Sequence, residues 1–149
     1  MSSDEIIKLK LIGKNQEDLK VISAYLQDSV VIVKDMVFLK QNRSFVMIVN
    51  RFMWEDIEKG VFRENKRIRC ALRFEEVIEV KSKNINQKNE NKPLECLAIE
   101  YISEKDAICT IRIFFSGGSV VSITAEAIEV VLHDLSKPWD VKHTPKHKI

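Results

Sequence analysis

The chain is short of the residues that staple, anchor or break a fold. It has three cysteines in 149 residues, Cys70, Cys96 and Cys109, an odd number at wide spacing. That excludes a full disulfide framework, and no C-x-x-C pair is present to suggest a structural metal. Each cysteine falls in a stretch with strand periodicity, so all three are expected to be small reduced core residues. Long apolar runs are missing as well. The longest, Val30 to Val33 and Phe45 to Val49, are far below the roughly 20 residues that cross a bilayer, so no membrane segment is expected. The segment Met1 to Glu5 carries acids where a secretory leader carries bases, which makes the cytoplasm the expected compartment. Charge of one sign is lacking too: 24 Lys and Arg face 22 Asp and Glu, a net +2. Such a balance draws neither nucleic acid nor an anionic membrane unless the charge is clustered.

What is present is the material for one domain. Apolar residues make up 45% of the chain and charged residues 31%, enough for a core and a solvated surface. Ile7, Leu9 and Leu11 alternate with polar neighbours and predict a first strand ended by Gly13. Asn15 is a good N-cap, Glu17 and Asp18 suit the positive end of a helix dipole, and Leu19, Ile22 and Leu26 recur at helical spacing up to Asp28. From Val30 the period is that of strands. Val30 to Leu39 and Phe45 to Met53 form a predicted hairpin around Gln41-Asn42-Arg43, and the second arm, apolar on both faces, reads as a strand packed on each side. Trp54 to Lys59 suggests a helical turn or two, stopped by Gly60. A long and bent strand is predicted from Arg69 to Val80, and further strands around Leu97 to Tyr101, Cys109 to Phe115 and Val121 to Leu132. Ser116-Gly117-Gly118-Ser119 is a tight hairpin turn.

The last of these strands changes phase. Val121, Ile123 and Ala125 are apolar at odd positions, and Ile128, Val130 and Leu132 at even ones. A period-two pattern that slips predicts a bulge or a break where the strand bends, and a bulge is the preferred reading over a short helix. Residues 82–93, rich in Asn and Lys and closed by Pro93, are expected to form a mobile surface loop. One globular domain is expected over residues 1–135, followed by a flexible basic tail, residues 136–149, in which Trp139 docks locally.

The candidate sites are few. Arg63, Lys66, Arg67, Arg69 and Arg73 form a basic run, with Arg67, Arg69 and Arg73 on one exposed strand face, where residues two apart lie roughly 7 Å from each other, a spacing that suits phosphates. Glu75 and Glu79 share that face and no aromatic residues interleave, so a mixed-charge solvated face is the stronger reading. His143 and His147, with His133, Asp134 and Asp140 near in sequence, resemble metal ligands only in composition, because Pro145 breaks the helical geometry they need. His133-Asp134 lacks a partnered serine, and the Ser116 to Ser119 loop joins two strands where a phosphate loop joins a strand to a helix. No catalytic residue, metal or cofactor is assigned.

Several segments resemble one family: Leu9-Lys-Leu-Ile, Asp18-Leu-Lys-Val-Ile-Ser-Ala-Tyr-Leu-Gln-Asp28, Val49-Asn-Arg-Phe-Met-Trp-Glu55, Ala71-Leu-Arg-Phe-Glu75 and Phe115-Ser-Gly-Gly118. Their order and spacing are similar to those of an uncharacterised alphaproteobacterial family, the domain of unknown function 2948. The resemblance implies a bacterial, cytoplasmic, single-domain protein and points to no particular activity. The expected fold is α+β, mainly antiparallel β with about seven strands in a bent sheet, sandwich or small barrel, and an N-terminal helix covering an open face. The leading functional expectation is a noncatalytic interaction module that meets another protein through a sheet edge or Trp54. Nucleic-acid binding through the arginine face and a small-ligand or catalytic site in a sheet cavity are the alternatives.

Overall fold

The structure, a computed structural model, describes residues 9–52, 66–135 and 139–140. It contains β1 (Lys10–Gly13), α1 (Gln16–Tyr25), β2 (Val30–Leu39), β3 (Ser44–Phe52), β4 (Lys66–Phe74), β5 (Val77–Lys83), β6 (Pro93–Lys105), β7 (Ile108–Phe115), β8 (Val120–Ala125), β9 (Val130–Asp134) and the two-residue β10 (Trp139–Asp140). The fold is α+β and mainly antiparallel, as the periodicity implies. Strand order is β1-β9-β4-β3-β2-β6-β7-β8-β5, with β10 beside β4, and the sheet does not close.

Among the described residues ten strands stand where about seven were expected: one is the short β10, and two more arise because long strands divide. The long strand after Lys66 is two strands, β4 and β5, and the last long strand is also two, β8 and β9. The two stretches of chain stay antiparallel partners throughout, β4 with β9 and β5 with β8, and both turn at the same corner. There the Glu75 amide donates to the Glu129 carbonyl (2.8 Å) and the Glu126 amide to the Glu76 carbonyl (2.9 Å), with Glu76 in the left-handed region (φ 58°). A paired ribbon folded at a corner passes from one half of the core to the other, as in orthogonal sheet packing. The phase slip after Ala125 is this corner. Val121, Ile123 and Ala125 are buried on one side of it and Val130, Leu132 and Asp134 on the other. The preferred bulge is corrected to a break, because the chain leaves one set of partners, β7 and β5, for another, β4 and β1.

The two halves of the bent sheet enclose one core, and α1 caps its open side with Leu19, Ile22 and Leu26. The helix starts as expected: the Asn15 side chain accepts from the Asp18 amide (2.8 Å), and Asp18 reaches back to the amide of Lys14 (2.9 Å). Gly13 is required where β1 meets α1, because a Cβ there would stand 3.0 Å from Ile22 Cδ1 and 3.2 Å from Asp18 Cβ. The β2–β3 hairpin turns through Lys40–Asn42 with Arg43 in the left-handed region, and Gly117 and Gly118 both take positive φ in the β7–β8 turn.

One expectation changes on packing. The face of β3 that carries Phe45, Met47 and Val49 is buried, whereas Val46 and Ile48 on the other face are only half covered. That strand is therefore not packed equally on both sides. Residues 84–92 are tied to the body. The Val33 amide donates to the Lys92 carbonyl (3.1 Å) and the Lys34 amide to the Glu90 carbonyl (2.9 Å), while Ser119 Oγ donates to the Asn84 carbonyl (2.7 Å). The backbone of Trp139–Asp140 pairs with Arg67 and Lys66. Cys70, Cys96 and Cys109 are buried thiols outside any disulfide. Among the described residues no helix is long and apolar enough to cross a membrane.

Candidate functional site

The arginine face divides on inspection. Burial alternates along β4, so Ile68, Cys70, Leu72 and Phe74 point into the core and Arg67, Arg69 and Arg73 share the outer face. Arg67 is not exposed as expected but half-buried. Its guanidinium lies 3.7 Å from the centroid of the Phe52 ring and donates to the Asn50 carbonyl (3.0 Å) and more weakly to that of Asp28 (3.4 Å). Burial pulls its pKa down, opposed by the nearby carboxylates of Asp28 and Glu95. Arg73 is exposed and paired with Glu75 (2.5 Å). The face thus spends one arginine on the fold and neutralises another, a poor design for gripping phosphates. Lys66 contributes its backbone to β4, and its side chain lies outside the described set. Arg63 and Trp54 fall outside the described residues, as do His143 and His147. Among the described residues no cluster of His, Cys, Asp or Glu is placed to hold a metal ion.

Sequence reasoning missed the largest polar feature of the interior. Arg51 continues the inward phase of Phe45, Met47 and Val49, and Asp134 that of Val130 and Leu132. Their side chains meet, 0% and 2% exposed. Arg51 donates through Nε to Asp134 Oδ1 (3.1 Å), through Nη2 to Oδ2 (3.0 Å) and through Nη1 to the Phe52 carbonyl (3.0 Å). The Leu9 amide adds a bond to Asp134 Oδ2 (2.8 Å), and the guanidinium stands 5.6 Å from the Tyr25 ring. The signal was legible: two opposite charges occupy positions that the alternation assigns to the core. These hydrogen bonds satisfy the fork, so its chemistry is structural.

A surface with the properties of a binding site lies on β6. This strand pairs with β2 only over Pro93–Glu95, then runs on beside β7 to Lys105. Asp28 and Ser29 hold the backbone of Cys96, and Ser23 Oγ accepts from the Ile99 amide (2.9 Å). Beyond that point, from Glu100 to Lys105, no described residue pairs with the β6 edge opposite β7. A groove of about 370 Å³ lies where this edge begins, with α1 supplying Leu19, Lys20 and Ser23 as one wall and β6 supplying Ile99, Glu100 and Tyr101 as the other. Ile102 and Ile108, at the end of the β6–β7 hairpin, are each 38% exposed. Two register shifts in β6, at Cys96/Ala98 and Tyr101/Ser103, bend the edge, which keeps it from pairing indiscriminately. The arrangement offers unpaired backbone groups, an apolar floor and a helix wall to an extended chain.

The chain matches, over residues 9–147, the family described as Protein of unknown function (DUF2948), and belongs to it. No match is found among curated proteins or among solved structures.

Proposed function

We infer that this protein is a noncatalytic interaction module that accepts an extended peptide as an added strand on β6, in the groove beside α1. The observation that carries the reading is the edge from Glu100 to Lys105, free of partners among the described residues, with exposed Ile102 on it, exposed Ile108 beside its far end and the α1 groove where it begins. Strand addition supplies main-chain hydrogen bonds for affinity and alternate side-chain pockets for specificity. The interior supports a noncatalytic role, since the buried pair Arg51–Asp134 is saturated by its own partners. Three unbridged thiols suit a reducing compartment, so we place the activity in a bacterial cytoplasm.

The test is a random-peptide display selection on the folded protein, followed by amide mapping of the selected peptides by NMR. Selected peptides should share a period-two apolar pattern and shift the amides of Glu100 to Lys105 and of Leu19 to Ser23. Ile102→Pro, which sets a proline ring in the middle of this edge segment, should abolish binding while the core amides keep their positions. Peptides that shift only the β4 face, or bind Ile102→Pro unchanged, would sink the idea. The nucleic-acid alternative is scored in the same material: RNA binding that weakens steeply with salt and is lost in Arg69→Glu/Arg73→Glu would revive it.

A further inference from the structure

The other large opening in the molecule arises from an irregularity in β2. Val31 pairs with Val49 and Met36 with Met47, so five steps along β2 answer two along β3. The extra residues carry β2 away from β6 after Ile32. The Val33 and Lys34 amides are taken up by the carbonyls of Lys92 and Glu90. From Asp35 onward no described residue pairs with that side of β2. Facing it is β5, which ends the sheet and among the described residues pairs with β8 alone.

Between them is a cleft of about 430 Å³, walled by β2 on one side and by Val80 and Ser82 of β5 on the other. It is shut at one end, where the Val77 amide donates to the Arg43 carbonyl (2.9 Å), and at the other, where Glu90 receives the Lys34 amide (2.9 Å). A long extended chain cannot thread through it. Its size is that of a small-molecule site.

What lines the cleft says what would fill it. Met36 and Phe38 are cross-strand neighbours of Met47 and Phe45, both buried, and so face the interior, yet they remain half covered. Val80 and Ile85 are likewise only partly buried against the core. Inward-facing apolar surface left in contact with water favours whatever covers it by about 25 cal/mol per Å². The polar part of the lining carries both signs, with Lys34 and Glu90 as its charged groups and Ser82 and Gln87 as its neutral ones, Gln87 Nε2 donating to Ser82 Oγ (3.4 Å).

We propose that the cleft between β2 and β5 is a binding site for a small amphipathic molecule with an apolar body and a head that offers both a donor and an acceptor, as an amino-acid head does. The site is separate from the β6 groove and does not depend on it.

The experiment uses the full chain with 13C-methyl methionine and titrates it with L-phenylalanine, 3-phenylpropionate and phenethylamine. Met36 lines the cleft and Met47 lies behind it, so the Met36 methyl should shift strongly and Met47 little. Phenylalanine should bind with a Kd at or below about 1 mM, the range of a weak fragment, and more tightly than either analogue, each of which lacks one charge of the head. Val80→Phe, which fills the cleft, should weaken binding at least about tenfold. Ser82→Leu at the exposed mouth serves the same purpose if Val80→Phe does not fold, and Ile102→Ser should leave binding unchanged. No Met36 shift with any probe, or equal binding in the filled variants, would overturn the proposal.

Discussion

At the α1 end of the core, Arg51 and Asp134 are withdrawn almost completely from water and bind each other. At the β2–β5 end, Met36 and Phe38 face the same interior and stay half exposed. Charge is sealed where the layers close, and hydrocarbon is left wet where they do not. Polarity therefore does not decide coverage in this fold. Alternation decides which way a side chain points, and the presence or absence of a neighbouring strand decides whether anything meets it there.

The largest effect should come from breaking the sealed end. Asp134→Ala leaves the Arg51 guanidinium buried and the Leu9 amide without its acceptor, at a cost of about 3–5 kcal/mol. The double change Arg51→Met/Asp134→Leu removes both charges and should recover most of that loss. Urea midpoints on the three proteins check both statements. If the double variant is as unstable as Asp134→Ala, the pair contributes more than mutual neutralisation.

The open end can be tested within one cross-strand pair. Phe45 is 4% exposed and packs 6.3 Å from Phe74 between centroids, so Phe45→Ala should cost about 3–5 kcal/mol. Its partner Phe38 keeps part of its surface in water and already borders a void. Phe38→Ala should cost about half as much, since less area returns to solvent. Equal costs, read from denaturant unfolding, would show that the cleft closes in solution.

How much of this could be read from the sequence follows the same division. The helix, its Asn15 cap, the β2–β3 hairpin and the reduced buried cysteines were legible, because each depends on spacing within a few residues. The phase slip after Ala125 was legible as an event but not in kind: whether a strand bulges or breaks depends on which partner continues beyond it, and β4 and β5 lie some fifty residues away in the chain. The Arg51–Asp134 fork was legible only in retrospect, since two inward charges announce themselves when both phases are followed to their ends. The groove and the cleft were not legible. Each is a gap left by a strand that parts from its neighbour, β6 from β2 in one case and β2 from β6 in the other, and no local pattern records a missing neighbour.

A smaller effect should appear with pH. Burial first, and the Asp28 carboxylate second, push the Cys96 thiol up to about 12, whereas an unfolded thiol titrates near ~8.5. The folded state therefore holds this proton more tightly. The stabilisation it brings is fully present below about pH 8.5 and drains away as pH rises toward the folded value. Denaturant midpoints should fall across that alkaline window, and the fall should be shallower in Cys96→Ala. A parallel decline in both proteins would assign the slope to other groups.

The smallest contrast lies on the arginine face and sharpens the reading of function. Arg67 stacks on Phe52 and donates to two carbonyls, so Arg67→Ala should destabilise by about 1–2 kcal/mol through lost packing and orphaned acceptors. Arg73 is 56% exposed and pairs with Glu75 at the surface, and Arg73→Ala should cost less than about 0.5 kcal/mol. Two arginines on one strand face, six residues apart, would then differ severalfold in what they do for the fold. The order matters for any binding assay, because lost nucleic-acid affinity in Arg67→Ala would report a loosened β3–β4 corner, while the same loss in Arg73→Ala would report a contact. Should the two variants prove equally stable, the Phe52 stack holds nothing together, and Arg67 is available to a ligand after all.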